Sequence, residues 1–399
     1  PMDGTKIRLG VIGVGGRGTD HARSLAKVAD VTIASVCDVD ESRAKNAAGA
    51  VAKDGFAEPK TIADFRRILE DKEIDGVTIA TCNHWHAIMG ILACQAGKHV
   101  YVEKPCSHNP REGELFIEAA RKHKRHVQMG NQRRSYGHYI DAIKQIREGV
   151  IGRAYLAKSW YFANRPTIGK GKVGDPPAGL NYELWEGPAP HRPYQDNFLH
   201  YNWHWFWTWG NGELGNNGVH SIDICRWGLG VDYPIRVSSS GGRYRYEDDQ
   251  ETPDTHTVGF EFSDRKLITW EGLSCNSNPS GAAFDIVFHG EKGSMILKDG
   301  GYTIHDVKGK EIKKLPPDKV GQMEHFGNWL AAIRSGAKLN SEIEEGHKST
   351  LLCHLGNIAT RVGRSLTFDP QKEQFVGDDD ANKLIRREYR DHWGTPRGV

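Results

Sequence analysis

Three groups of residues in this chain have types and spacings suited to chemistry. The first is Gly13-Val14-Gly15-Gly16-Arg17-Gly18, a G-x-G-x-x-G that follows a short apolar run and opens a helical pattern. In such a turn the first glycine permits a tight reversal, the second lets a pyrophosphate approach the backbone, and the third lets helix pack on strand; the phosphates then rest at a helix N-terminus. Asp38 ends the next apolar run, where a carboxylate accepts hydrogen bonds from ribose hydroxyls and repels a 2′-phosphate. Together they imply dinucleotide binding, with NAD expected over NADP. Arg43 is the nearby cation that argues the other way.

The second group is spread over three segments: Thr81-Cys82-Asn83-His84-Trp85-His86, Glu103-Lys104-Pro105 and Gly130-Asn131-Gln132. Each follows a short apolar run, so all three end at the same carboxyl edge of a parallel sheet, where open α/β folds bind ligands. A lysine alone there is usually an exposed charge; the convergence is what singles out Lys104. The third group is aromatic. Tyr201-Asn202-Trp203-His204-Trp205-Phe206-Trp207-Thr208-Trp209 puts four tryptophans on one face if extended. Such a stripe suits a core or an interface, and it equally suits the C–H face of a sugar with Asn and His beside it for hydroxyls.

The elements that must position these groups follow from periodicity. Apolar runs at 7–12, 31–37, 76–81, 100–102 and 127–129 read as buried strands, alternating with helical spacing at 64–69 and 86–96, the latter closed by Gly97. That is the form of βαβ units around a parallel sheet. Beyond Met129 comes a helix at 140–147, then a long Gly/Pro/aromatic stretch. Strands with period-two alternation follow: one places Val258, Phe260 and Phe262 on its buried face, and others are expected at 266–271, 284–289, 294–297 and 302–305. They predict an antiparallel sheet, followed by helices at 324–335 and 344–362. The fold expected is therefore α/β plus α+β: an N-terminal Rossmann dinucleotide-binding domain over 1–130, and over 131–399 a substrate-binding and oligomerisation domain on a large open, mainly antiparallel sheet. Its C-terminal helix and tail are expected to pack back on the first domain.

The motifs Gly13-x-Gly15-x-x-Gly18, Asn83-His84-Trp85-His86 and Glu103-Lys104-Pro105 together resemble the glucose-fructose oxidoreductase / inositol dehydrogenase / rhizopine catabolism (Gfo/Idh/MocA) family, essentially over the whole chain. The resemblance implies that Lys104 contacts both the nicotinamide ribose and the reacting hydroxyl. It also implies a cofactor site of Gly13, Gly15, Gly16, Arg17, Gly18, Asp38, Asn83, His86, Glu103, Lys104 and Gln132. The family's Asp-x-x-x-His pair falls on Asn216 and His220, so the histidine is kept and an asparagine stands in the carboxylate position. Asn216 can hydrogen-bond a hydroxyl but cannot stabilise an imidazolium by charge. Asp223 is a candidate substitute, or simply a structural carboxylate. The catalytic set expected is Lys104, His220 and Asn216, with Lys104, Trp203, His204, Asn216 and His220 facing the substrate. Chemically this is coherent: oxidising a secondary alcohol needs a hydride acceptor, a base of histidine type and a fixed cation for the developing alkoxide.

The resemblance thus implies an NAD-dependent oxidoreductase acting on a secondary hydroxyl of a sugar, glycoside or cyclitol. Two alternatives in the family are a glycoside hydrolase working by transient oxidation with bound NAD, and a non-catalytic NAD-sensing regulator. A homodimer or homotetramer is expected. Other classes are excluded by composition. With 53 Lys+Arg against 51 Asp+Glu and a net charge of +2, no nucleic-acid partner is expected. No run approaches the about 18 apolar residues needed to span a bilayer, so no membrane partner is expected. Cytoplasmic localisation is expected, with the periplasm as the alternative if an export signal has been removed ahead of Pro1. The seven cysteines are widely spaced and read as free thiols. His191, His200, His204 and His220 match no ligand spacing, so no metal is expected.

Overall fold

The computed structural model describes residues 6–279, 281–316 and 321–397. Its first sheet consists of β1 (Ile7–Ile12), β2 (Val31–Cys37), β3 (Lys60–Ile62), β4 (Gly76–Ile79), β5 (His99–Val102) and β6 (Val127–Met129), in the order β3-β2-β1-β4-β5-β6. Every adjacent pair is parallel. This requires crossovers, supplied by α1 (Gly16–Leu25), α2 (Glu41–Lys53), α3 (Arg66–Glu70), α4 (Asn83–Gln95) and α5 (Pro110–Lys122). The helices begin where the sequence provides donors' partners: Asp40 caps α2 by accepting from Ser42 N, and Asn109 caps α5 by accepting from Glu112 N with Pro110 in the first turn. The strand order reverses between β1 and β4, which opens a crevice at their carboxyl ends.

Two glycines are needed to build that crevice. Gly13 has φ +81°, and a Cβ there would stand 2.7 Å from the Ala80 carbonyl. Gly18 sits so close to the turn that a Cβ would overlap the Gly13 carbonyl oxygen. Both contacts are to backbone, which cannot yield as a side chain can.

After α6 (Gly137–Arg147) the chain forms a second sheet from β7 (Ala154–Asn164), β8 (Arg236–Gly242), β9 (Thr255–Phe262), β10 (Lys266–Leu273), β11 (Cys275–Asn276), β12 (Phe284–Gly290), β13 (Gly293–Lys298), β14 (Gly301–Asp306), β15 (Glu311–Leu315), β16 (Leu366–Asp369) and β17 (Gln374–Phe375). The order is β15-β14-β13-β12-β7-β10-β9-β8-β16-β17, with β11 on β7. It is antiparallel except where β10 pairs parallel with β7, Leu267 opposite Leu156. On β9 the buried residues are His256, Val258, Phe260 and Phe262, and this face is covered by α8 (Val219–Leu229) and α10 (Ile343–Val362); α9 (Gln322–Ser335) instead packs Phe326 and Trp329 into the core beside β1. The remaining helices are the short α7 (Tyr182–Glu186) and α11 (Asp379–Lys383).

One reading, that of the aromatic run in an extended form, is corrected here. The aromatic run is no strand: Asn202–Trp205 is a 3₁₀ turn entered through Tyr201 at φ 91°, so its tryptophans do not share a face. Trp205 and Trp209 are buried core residues, whereas Trp203 is half-buried. The tail runs over the first part of the chain: Arg111 N donates to Ile385 O at 3.1 Å, Tyr389 hydroxyl to Glu112 at 2.5 Å, and the Arg66 guanidinium lies 3.2 Å from the Trp393 ring centroid. All seven cysteines are buried free thiols. Among the described residues no helix is long and apolar enough to cross a membrane. Gly18→Ala should destabilise the fold by about 1–3 kcal/mol through overpacking; urea unfolding indistinguishable from that of the unsubstituted protein would show that the turn relaxes freely.

Candidate active site

A cavity of about 630 Å³ runs along the crevice, lined by Gly13, Gly15, Asp38, Lys104, Asn216 and His220 among others. At one end the N-terminus of α1 has no side-chain cap, so its first N–H groups are left for a ligand. A Cβ on Gly16 would meet nothing within 4 Å, whereas one on Gly15 would stand 2.6 Å from Arg43 Nη1. The loop is thus an open backbone cradle roofed on one side by a guanidinium, which fits a pyrophosphate. Asp38 lies beside it: Val14 N donates to Oδ2 at 2.8 Å and Asp40 N to Oδ1 at 3.0 Å. Burial pushes its carboxyl pKa up against these bonds and Arg43. Held by the backbone on both oxygens, the carboxylate has a fixed orientation with acceptor capacity to spare for ribose hydroxyls.

At the other end lies Glu103, buried. Arg17 Nε donates to its Oε1 at 2.7 Å, and His21 Nε2 lies 3.0 Å from the same oxygen. Burial opposes its charge, but Arg17, His21 and Lys104 outweigh burial and hold the carboxyl well below its usual range. Arg17 also donates to Gln322 Oε1 at 2.6 Å. Two of the residues expected around a cofactor, Arg17 and Glu103, therefore bind each other on the cavity wall. Gln132 lines the cavity and its buried Oε1 has no partner, a vacancy that a ligand amide or hydroxyl would fill. Asn83 donates to Asn211 Oδ1 at 3.0 Å, and His86 is wedged between the carbonyls of Pro105 (2.6 Å) and Thr81 (3.0 Å). These two shape the wall with polar atoms already engaged.

Lys104 reaches across to the second half of the chain. Its Nζ donates to the Asn216 carbonyl at 2.8 Å and to Asn216 Oδ1 at 3.2 Å. Asn216 lies in a π-helical turn, Leu214–Gly218, that leads into α8; such turns widen a helix locally and expose its polar groups. Its Nδ2 donates to Tyr201 hydroxyl at 3.1 Å and to Glu213 Oε1 at 3.4 Å. The side-chain partners of Asn216 are thus Lys104, Tyr201 and Glu213, and the Asn216–His220 pairing suggested by the sequence gives way to an Asn216–Lys104 pairing. His220 faces the same cavity, with a buried Nδ1 that lacks a partner. Burial and then the Lys104 cation press its pKa well below the usual histidine value, so the ring is neutral at neutral pH.

Asp223 does not replace the missing carboxylate. It binds Arg134 through both oxygens at 2.8–3.0 Å and accepts from Ser349 Oγ at 2.6 Å, a buried structural pair. Trp203 and His204 do line the cavity, stacked 3.6 Å apart, and His204 Nδ1 is 2.6 Å from Tyr201 O. Burial pushes the His204 pKa down to about 3. Sequence reasoning missed Tyr201, Glu213 and Arg165, which donates to Glu213 at 2.8 Å; only the density of aromatic residues hinted at the first. Among the described residues no cluster of His, Cys, Asp or Glu could hold a metal ion.

A glycine cradle at a Rossmann switch point, a fixed carboxylate beyond β2 and a lysine at the mouth define an NAD-binding oxidoreductase. Profile matches agree: the NAD-binding Rossmann fold of the oxidoreductase family over residues 7–131 and its C-terminal alpha/beta domain over residues 157–395. The chain belongs to the Gfo/Idh/MocA family. Inositol 2-dehydrogenase of Salmonella paratyphi B is 33% identical over 165 residues, 41% of this chain and 47% of that relative, so the chain matches about half of that protein's length. Inositol 2-dehydrogenase 2 of Saccharopolyspora erythraea is 30% identical over 376 residues, covering 92% of this chain and 97% of the relative. In fold, the chain resembles the WlbA dehydrogenase of Bordetella pertussis, solved with NADH and UDP-GlcNAcA, at a TM-score of 0.70 and 18% identity, over 91% of this chain and 99% of the other.

Asp38→Ala should weaken NAD roughly tenfold or more, the worth of hydrogen bonds to a charged group, with a smaller effect on NADP. Titration of both nucleotides by tryptophan fluorescence checks this; an unchanged NAD/NADP ratio would place the ribose elsewhere.

Proposed function

We propose that this protein is an NAD-dependent dehydrogenase of a secondary hydroxyl on a sugar, glycoside or cyclitol, with NAD preferred over NADP. The observation that supports it most is the Lys104–Asn216 contact at the cavity mouth, beside a histidine kept neutral. The glycine cradle and Asp38 would hold NAD, which would supply the hydride acceptor or donor. Lys104, a fixed cation, orients the reacting hydroxyl and stabilises negative charge growing on its oxygen. Neutral His220 accepts the hydroxyl proton, and the ordinary burial cost of the resulting imidazolium makes it ready to release that proton again. Asn216 holds Lys104 in place, its own amide tied to Tyr201 and Glu213. The stacked Trp203–His204 wall offers an apolar surface to the C–H face of a ring.

A panel of inositols, sugars and aryl glycosides, incubated with and without added NAD while NADH and released aglycone are followed, tests the reading. NADH formation without aglycone release supports it. Aglycone release without net NADH would instead mark the hydrolytic reaction, and neither signal would mark a regulator. Lys104→Ala should lower kcat roughly a hundred- to thousand-fold with NAD binding retained. The sign of the His220 shift also fixes the pH profile: a depressed pKa keeps the base form available below pH 6.5, so the acid limb in the oxidising direction should lie under that value and vanish in His220→Ala. A limb that survives the substitution would assign the proton to another group.

The face of the second sheet turned away from α8 and α10 carries Leu156, Trp160, Phe162, Leu267 and Val287, each only half-buried. We propose that a second copy covers it, giving a homodimer or a pair of dimers. Light scattering at micromolar concentration should show at least twice the chain mass; a monomer would overturn this.

A further inference from the structure

A second cavity, of about 370 Å³, lies between the C-terminal tail, α10 and the segments around His108 and Trp207. Its charge is one-sided. Arg361, Arg386, Arg387 and Lys383 line it against Glu388 as the only carboxylate among its lining residues. Lys383 is neutralised by Asp380 at 3.0 Å, but the three arginines form no ion pair within 4.0 Å among the described residues, where most of this chain's arginines do. Arg387 donates only to neutral acceptors, Thr208 O at 2.9 Å and His108 Nδ1 at 2.8 Å. Arg361 lies over the Trp207 ring, 5.2 Å from its centroid. The carboxylates outside the cavity that act on these arginines are committed elsewhere: Glu251 to Arg192 and Trp207 N, both at 2.8 Å, and Glu112 to Tyr389 and His108 N.

His108 carries an independent sign. An arginine can only donate, so its bond to Nδ1 makes that nitrogen the acceptor and leaves the ring proton on Nε2. That Nε2–H is buried and has no acceptor, and His108 as a whole is 9% exposed on the cavity wall. Desolvation in the cleft depresses the pKa of both Arg361 and Arg387; the Arg387 guanidinium adds to it at Arg361, while Glu251 at Arg361 and Glu112 with Tyr389 at Arg387 offset it only in part, and Arg361 and Arg386 stay open to solvent at the cleft's mouth side. Cations and a buried donor collected without an acceptor are the inverse image of an oxyanion.

We propose that this cleft is a second ligand site, for a small molecule carrying a phosphate or carboxylate group. The guanidiniums match either oxyanion in a bidentate manner, and Trp207, Asn109 and Asn357 on the same wall suit a compact polar body attached to it. The site is separate from the nucleotide crevice but touches it through one residue. Asn211 donates to His108 O at 3.0 Å and accepts from Asn83 Nδ2 at 3.0 Å, and Asn83 lines the larger cavity. An occupant therefore sits one hydrogen-bonded side chain from the cofactor wall.

Saturating the protein with NAD first blocks the pyrophosphate cradle; the holoprotein is then titrated calorimetrically at low ionic strength with inorganic phosphate, glycerol 3-phosphate and citrate. Saturable one-to-one binding of at least one probe is expected, weakening with added salt, and the probe that binds tighter assigns phosphate or carboxylate. Arg361→Gln combined with Arg386→Gln should weaken it roughly tenfold or more while NAD affinity stays unchanged. No saturable binding of any probe in the millimolar range, or equal binding by the double variant, would overturn the proposal.

Discussion

A carboxylate buried at the end of a parallel strand is tolerable only if cations and hydrogen-bond donors surround it, and Glu103 sets that condition for this protein. Arg17 from α1 and His21 one turn later meet its Oε1, and Gly130 at the end of β6 is so near that a Cβ there would stand 3.0 Å from the carboxyl group. One buried charge thus fixes where α1, β5 and β6 end relative to each other. It also fixes the residue after it: Lys104 leaves the sheet edge with its charge partly balanced by Glu103 and its ammonium free to cross to Asn216.

The far side of that bridge is organised in the same way. Glu213 is buried and paired with Arg165, and it receives the side chains of both Asn216 and Asn217. The negative charge that the family motif would place at position 216 is therefore found one helical turn earlier, but already matched by a guanidinium. What remains in the cavity around His220 is predominantly cationic, Lys104, Arg133 and Arg17 outnumbering Glu103. Burial first and then these cations keep the ring neutral, which is the form the proposed proton acceptor requires.

Much of this was legible in the sequence because it is local. β1, β2 and β6 end where the apolar runs end, and β4 stops two residues before the end of the run it was read from, where Ala80 turns against Gly13. The glycine motif, Asp38 and Lys104 follow strand ends, so their convergence needed only the parallel topology. The rest depends on partners distant in the chain. The β7–β10 parallel pairing joins residues more than a hundred positions apart, and no periodicity encodes it. The aromatic run looked extended because its alternation has period two, yet it folds as a compact turn: Gly210 lies against the His204 backbone and Tyr201 takes a left-handed φ of 91°. Tyr201 and Glu213 enter the site through that turn and the π-helical one beside it, Arg165 from the end of β7, and Asp223 leaves it because Arg134, far earlier in the chain, neutralises it.

The central claim is that burial lowers the pKa of His220 and that Asn216, as a neutral partner of Lys104, leaves it in a cationic surrounding that lowers it further. The pH dependence of kcat/KM for Asn216→Asp against the unsubstituted enzyme, in the oxidising direction, tests this most directly. A carboxylate at the position of Oδ1, 3.2 Å from Lys104 Nζ, would offset the cation that depresses His220 and favour the imidazolium. The account predicts an acid limb displaced to higher pH in Asn216→Asp. A limb that stays in place or moves to lower pH would contradict it.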